Sequence, residues 1–434
     1  METISINRAN APALKVADKV ELGAFQQTQL SNGVPVYYTK FEGEDIVNID
    51  CSFAAGRWYE PSAMVSRAVC RLITQGTSSH TSKQLANEIE FYGGSVDVEN
   101  GHDHTSVKIF VLRKYLDKIL PLVREMLEDA IFPEDELQLF KSKQLQKLQI
   151  GLQNTDFVAN RTMHEKLFGP SHPYGYHIDE AIINNLNPEQ LRQYSHVYYQ
   201  PARTTLFLSG NITDDVLAQL EQHFGSQSSA QAIPRPTYAL ETDSEMEYLV
   251  KNEQSVQSSI RLAGLTINKQ HDDFPALNVA NTVLGGYFGS RLMSNIREDK
   301  GYTYGIFSMI KHHKEASYFV VDTEVGNEVC HDAVKEIIKE MELMNDIPVS
   351  DHELTIVRNY MIGSLIRATD GPFNRIKVIK NMVLSNVDVS YFNRLVDAVQ
   401  HATPESVKLM SSKYLQPDMY KQIICGNPIT EPVA

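Results

Sequence analysis

The 14 histidines of this chain raise the question of a metal site. Two imidazoles one helical turn apart can grip a single zinc ion, because residues four apart face the same side. No two histidines here are four apart, so neither His-Glu-x-x-His nor His-x-x-Glu-His occurs. The nearest candidate is GHDHTS, where His102 and His104 would share one face of a strand. A pair beside a turn is expected to face solvent. His312 and His313 are adjacent, would point to opposite faces, and are expected at the surface. HEKLFGPSHPYGYH offers Glu165, His172 and His177 at spacings that fit no helical ligand pair. No Gly-x-Ser-x-Gly elbow occurs. LGGYFGSRL matches neither the phosphate loop nor the dinucleotide fingerprint, and reads as a tight turn before a helix.

A second candidate is SRAVCRLITQGT, residues 66–77. With 63–74 as a helix, Val65, Ala68, Val69, Leu72 and Ile73 form a buried stripe. Arg67, Cys70 and Arg71 then cluster on the other side. Two guanidiniums four apart repel modestly and cannot lose their charge, so this face is hostile to a bound dication.

The elements that must position these residues come in two sets. NPEQLRQYSHVYYQP (187–201) and TPESVKLMSSKYLQP (403–417) align at Pro188/Pro404, Tyr198/Tyr414 and Pro201/Pro417, each 216 apart (404 − 188). TTLFLSGN and KQIICGN end at Asn211 and Asn427, again 216 apart (427 − 211). Upstream, Pro133 and Pro348 lie 215 apart (348 − 133) in similar surroundings. Two long units fit a duplicated domain. VPVYYT, IVNIDCSFA and TSVKIFVL read as strands in the first half, SSIRLAGLTI and SYFVVDTEV in the second. RKYLDKILPLVREMLEDA and HDAVKEIIKEMELMN read as amphipathic helices. Strands clustered apart from helices predict an α+β fold: two homologous domains, each a largely antiparallel sheet with helices packed on one face. The expected divisions are an N-terminal extension (1–22), a first domain (23–225), a linker rich in Ser, Ala, Pro and Gly (226–245), and a second domain (246–434).

The 434 residues, 42% hydrophobic and 22% charged, allow a sizeable core. A net charge of −14 argues against nucleic-acid binding. No apolar run is long enough to span a membrane, and no leader pattern opens the chain. Four widely separated cysteines fit reduced thiols, so the expected location is cytoplasmic.

RAVCRLITQGTSSHTSKQLANEIEFYGGSVD resembles the zinc-helix region of the pitrilysin/insulinase peptidases, in the bacterial branch akin to mitochondrial processing peptidase. LSNGVPVYY, FGPSHPYG, YYQPARTTLFLSGN and LGGYFGSRLMSNIREDKGYTYGI extend the likeness over nearly the whole chain. Family members carry His-x-x-Glu-His a few residues before a Gly-Thr. Counted back from Gly76-Thr77, those positions hold Arg67, Cys70 and Arg71, which makes them degenerate metal positions. The family's third ligand is a Glu on a later helix. The matching stretch, ELQLFKSKQLQKLQIGLQNTD, has no Glu after Glu136 until Glu165. The family's C-terminal half carries an Arg and a Tyr seven apart, matched by Arg297 and Tyr304 (304 − 297).

The resemblance implies a chain without zinc chemistry of its own, inactive alone, forming the non-catalytic, substrate-binding subunit of a heteromeric peptidase. Zinc would sit in a partner subunit of the same family that bears the intact motif. Arg297 and Tyr304 would hold peptides or unfolded segments opposite that zinc, and a homodimer is also compatible. Two alternatives are a structural or assembly scaffold and an autonomous metallohydrolase with unorthodox ligands around His102 and His104.

Overall fold

The computed structural model describes residues 20–226 and 233–429. Most of the expected N-terminal extension and positions 227–232 of the expected linker lie outside the described residues. Residues 233–246 form no helix or strand and lead into the second half.

Six strands build the first sheet: β1 (Gln26–Gln29), β2 (Pro35–Lys40), β3 (Ile46–Phe53), β4 (Ser95–Asn100), β5 (Thr105–Leu112) and β6 (Thr204–Gly210), in the order β1-β2-β6-β3-β5-β4. Five build the second: β7 (Glu247–Lys251), β8 (Gln257–Thr266), β9 (Ile306–His312), β10 (Ser317–Gly326) and β11 (Lys421–Gly426), in the order β7-β11-β8-β10-β9. Without β1 the two orders are the same. In both, the final strand of the half runs parallel to the first and antiparallel to its other neighbour. Phe207 pairs with Asp50 across β6 and β3, and Ile423 pairs with Arg261 across β11 and β8. Phe207 and Ile423 are 216 apart (423 − 207), the period of the sequence repeat.

Alternation along each strand decides what each face meets. On β3, Val47, Ile49, Cys51 and Phe53 are fully buried on one face, against helices of the same half that include Val65–Leu72 and Leu116–Asp129. In the second half Ile260, Leu262, Phe319 and Val321 pack likewise against Phe274–Gly285 and Cys330–Asp346. The Val65–Leu72 helix is shorter than expected from its apolar stripe. Met64 sits in the left-handed region at φ 76°, which no regular helix continues through.

The opposite face of each sheet is covered by a helix from the other half. Thr155–Phe168 lies across β8 and β11, where Met163, Leu167 and Phe168 pack with Ala263, Tyr318, Val320 and Ile423. Gly371–Leu384 lies across β2 and β6, and Phe207 joins the second half's core beside Ile376 and Ile379. Ion pairs fix both crossings. Arg261 on β8 reaches Asp156 of the first crossing helix and Asp322 on β10 (2.8 Å). Asp50, its counterpart on β3, takes Lys380 of the second crossing helix, which also donates to Ser106.

Removing one member of a largely buried pair leaves an uncompensated charge, at about 3–5 kcal/mol. Lys380→Ala is therefore expected to destabilise the chain by about 3 kcal/mol, and Asp50→Asn combined with Lys380→Met to recover most of that loss. Denaturant unfolding of the single and double variants measures it, and simple additivity of the two changes would deny the pair its role.

Candidate functional site

The polar face of the Val65–Leu72 helix opens into a pocket of about 660 Å³. Arg67, Cys70 and Arg71 line it, with Asp97, Val98 and Glu99 of β4 opposite and Arg57 and Tyr176 at one side. Both arginines are exposed. Cys70 is buried and its thiol donates to the Val98 carbonyl at 3.3 Å. Burial pushes that thiol up to about 11, against the pull of Arg71 and Arg67, so it stays protonated at neutral pH. The Glu134–Gln153 helix packs on the Val65–Leu72 helix and carries no acid after Glu136. Two fixed cations and a protonated thiol do not fit a zinc ion. Among the described residues no group of three or more His, Cys, Asp or Glu is placed to hold a metal.

Beneath the pocket lies a network that spacing could not reveal. Buried Glu60 accepts hydrogen bonds from the Ser66 amide (3.0 Å), the Ser66 hydroxyl (2.9 Å) and the Tyr176 hydroxyl. The Arg57 guanidinium lies 3.4 Å from the Tyr176 ring centroid and donates to the Tyr176 carbonyl. Burial raises the Glu60 carboxyl, with the Tyr176 and Ser66 hydrogen bonds opposing. This carboxylate satisfies the first turn of a helix whose N-cap, Met64, cannot.

Arg297 and Tyr304 are brought together in the second half. Arg297 sits in a wide helical turn, Met293–Asp299, and donates from Nε to the Tyr304 carbonyl at 3.0 Å. Its guanidinium lies 4.6 Å from the Phe288 ring centroid. Thr303 pins the loop by donating to the Glu324 carbonyl of β10 at 2.7 Å, and Thr323 donates to the Gly305 carbonyl at 3.0 Å. Tyr304 itself is 96% exposed. The pair is thus a backbone-locked unit with its phenol directed outward. Arg297 and Tyr304 line a different part of the chain from the Arg67–Arg71 pocket.

The four paired-up histidines depart from expectation. His102 and His104 lie in the turn between β4 and β5 rather than on a strand, and all four are half-buried. The β4–β5 turn meets the β9–β10 hairpin where the two halves touch, which sequence separation conceals. The His102 and His313 rings are 4.5 Å apart, and Tyr174 stacks on His313 at 4.4 Å. Burial, then repulsion from His313 and Arg57, pushes His102 down to about 3, and burial pushes His313 down to about 4. His177, which no helical spacing pairs with Glu165, contacts it once Gly169 has ended the Thr155–Phe168 helix at φ 95°.

Residues 36–172 match the family model for insulinase (peptidase family M16), and residues 185–361 match the model for the peptidase M16 inactive domain. The chain belongs to peptidase family M16. Its relatives include the uncharacterized zinc protease YmxG of Bacillus subtilis, 24% identical over 307 residues, 70% of this chain and 73% of that protein. The non-peptidase homolog YmxG of Helicobacter pylori is 21% identical over 342 residues, 77% of this chain and 78% of that protein. Two solved structures share the fold at a TM-score of 0.84. A peptidase M16 inactive domain from Pseudomonas fluorescens is 22% identical, with 94% of this chain and 99% of that one covered. A protease from Helicobacter pylori is 16% identical, with 94% and 100% covered. Among the described residues no helix is long and apolar enough to cross a membrane.

The histidine contact predicts an acid sensitivity. An unfolded chain binds protons near the ordinary imidazole value of 6.5 that these rings refuse when folded. Their contribution is complete above 6.5 and is lost as pH falls toward about 4 for His313 and about 3 for His102. The melting temperature is expected to drop across that window, and less steeply in His102→Gln combined with His313→Gln. An unchanged slope would place the titrating groups elsewhere.

Proposed function

We propose that this chain is the non-catalytic, substrate-binding subunit of a heteromeric zinc peptidase. The observation that carries the reading is the contrast between its two halves. Arginines and a protonated thiol stand in the pocket beside the helix that the family likeness aligns with the zinc helix. Arg297 and Tyr304, by contrast, form a locked unit whose phenol is exposed and makes no hydrogen bond among the described residues.

A partner of the same family would supply zinc and its activated water. The residues of this chain would then bind and orient. Arg297 spends its Nε proton on the Tyr304 carbonyl and has one terminal nitrogen 3.8 Å from the exposed Glu298 carboxylate, so the other terminal nitrogen is the first in line to donate to substrate oxygens. The Tyr304 hydroxyl adds one more donor. Donors held in place before reaction stabilise charge that develops on a scissile carbonyl, and one such donor is commonly worth about 10²–10³ in rate. Peptides or unfolded segments are the fitting substrates. A scaffold role finds support in the Helicobacter pylori relative, which is described as a non-peptidase homolog.

Co-purification from the native cell with mass spectrometry is expected to recover a similar-sized subunit containing His-x-x-Glu-His. In that pair, Arg297→Ala should lower kcat/KM by about 10²-fold and Tyr304→Phe by about tenfold, without dissociation. Unchanged turnover in both variants would favour the scaffold. Metal analysis should find zinc in the assembled pair and far less than one ion per molecule in this chain alone. Stoichiometric zinc in the isolated chain would instead support a site of its own near His102 and His104.

A further inference from the structure

A second, larger cavity of about 690 Å³ lies where the halves meet. Its walls are the second face of the first sheet, the Gly371–Leu384 crossing helix and the β9–β10 hairpin. Six lysines line it: Lys108, Lys269, Lys311, Lys314, Lys377 and Lys380. No arginine does. For a chain of net charge −14 this is a concentrated reversal of sign.

The two carboxylates in the lining do not balance these cations. Asp50 is taken by Lys380, and Asp103 by Arg235, which lies outside the cavity. Lys108 is paired with Glu99. Lys269, Lys311, Lys314 and Lys377 make no ion pair within 4 Å among the described residues, although Asp103 and Glu315 act on Lys314 and Asp322 on Lys311 at longer range. Lys269 is the telling one. Among the described residues its ammonium donates only to the neutral Asn381 and Ser385 side chains, and burial pushes it down to about 8. A desolvated ammonium without a counter-charge is costly, and an anionic ligand would remove that cost.

The lining also indicates which anion. Carboxylates are best gripped by the planar fork of arginine, whereas lysine serves phosphate as a compact point charge. A phosphoryl group carries about −1.5 to −2 at neutral pH, so two of them would match four unpaired ammoniums. Phe274, Tyr391, Ile310 and Leu384 supply an apolar wall beside the charge. The volume lies within the roughly 300–1,000 Å³ of small-molecule sites.

We propose that this cavity binds a small organic molecule bearing two or more phosphoryl groups, with the phosphoryls among Lys269, Lys314 and Lys377 and the organic body against Phe274 and Tyr391. The two cavities share Gly101, His102 and Lys108, but Lys269, Lys314, Lys377, Phe274 and Tyr391 line only this one, so the proposal does not rest on the peptidase reading.

Isothermal titration of the full chain with inorganic pyrophosphate tests the charged part directly. Saturable one-to-one binding that weakens with added salt is expected. Lys269→Gln and Lys377→Gln should each weaken it by about tenfold, the fold-change for one charge-assisted contact. Lys311→Gln, on an exposed strand position, is expected to weaken it less, and Lys335→Gln, on a helix outside the cavity, not at all. Melting temperatures of the variants confirm that each is folded. Absence of saturation, or equal binding by the Lys269→Gln/Lys377→Gln double variant, would overturn the proposal. So would tighter binding of a glutamate-rich peptide than of pyrophosphate, which would make the cavity a peptide subsite.

Discussion

One buried carboxylate joins three segments at the place where the two halves meet, beside the crossings that the other ion pairs fix. Asp103, in the turn between β4 and β5, accepts from the Tyr174 hydroxyl at 2.7 Å, from Arg235 at 2.7 Å and from the Lys314 amide at 3.1 Å. Those donors come from the loop after the first crossing helix, from the connection between the halves and from the second-half hairpin. Burial would raise this carboxyl, but the Tyr174, Lys314 and Arg235 hydrogen bonds outweigh it and hold it below the usual range. Arg235 also reaches Glu315 at 2.7 Å and lies 4.6 Å from the Trp58 ring centroid. A charge buried this deeply is tolerated only while its donors stay in place. The histidine contact and both cavities border the same turn, so their shapes follow from it.

The crossing helices give the duplication a physical purpose. A half with one covered sheet face would leave its other face open to water or to other chains. Each half covers the other, so neither is complete alone. The charges that fix the crossings have opposite signs at equivalent positions, Asp50 in one sheet and Arg261 in the other. The inversion lets each crossing helix distinguish its own sheet from the related one, because a swapped docking would bring like charges together.

Much of this fold was legible in the sequence, and the reason is local. Strand alternation, the helix stripe from Val65 to Ile73 and the repeated prolines and asparagines at turns are all written within a dozen residues. Which element covers a second sheet face is not. Periodicity marks Met163 and Leu167 as buried without saying against what, and His102 meets His313 across 211 positions (313 − 102). The candidate site divides the same way. Arg67, Cys70 and Arg71 follow from helical spacing, and their pocket is where that spacing puts it. Arg297 and Tyr304 became conspicuous only through family likeness, since a seven-residue spacing marks a shared face only within one continuous helix, and the turn that holds Arg297 ends at Asp299. Their contact runs through a backbone carbonyl, which side-chain patterns do not encode. The Glu60–Ser66–Tyr176 network left no trace, because it depends on a left-handed residue at Met64.

The Arg67–Arg71 pocket is more than the absence of a ligand set. A dication roughly 5 Å from a guanidinium meets on the order of 6–7 kcal/mol of repulsion at an effective dielectric near 20, and there are two guanidiniums. An absent ligand would only weaken metal binding, whereas two guanidiniums at these positions oppose it. They also need little elsewhere in the fold. Both arginine side chains remain exposed, and Cys70 fills the inner position as a small protonated group satisfied by the Val98 carbonyl. The buried stripe lies on the other face of the helix, so its packing does not depend on what the polar face carries. In the proposed heteromer this arrangement confines zinc to one subunit and leaves the other to present Arg297 and Tyr304, so metal and substrate donors can vary on separate chains.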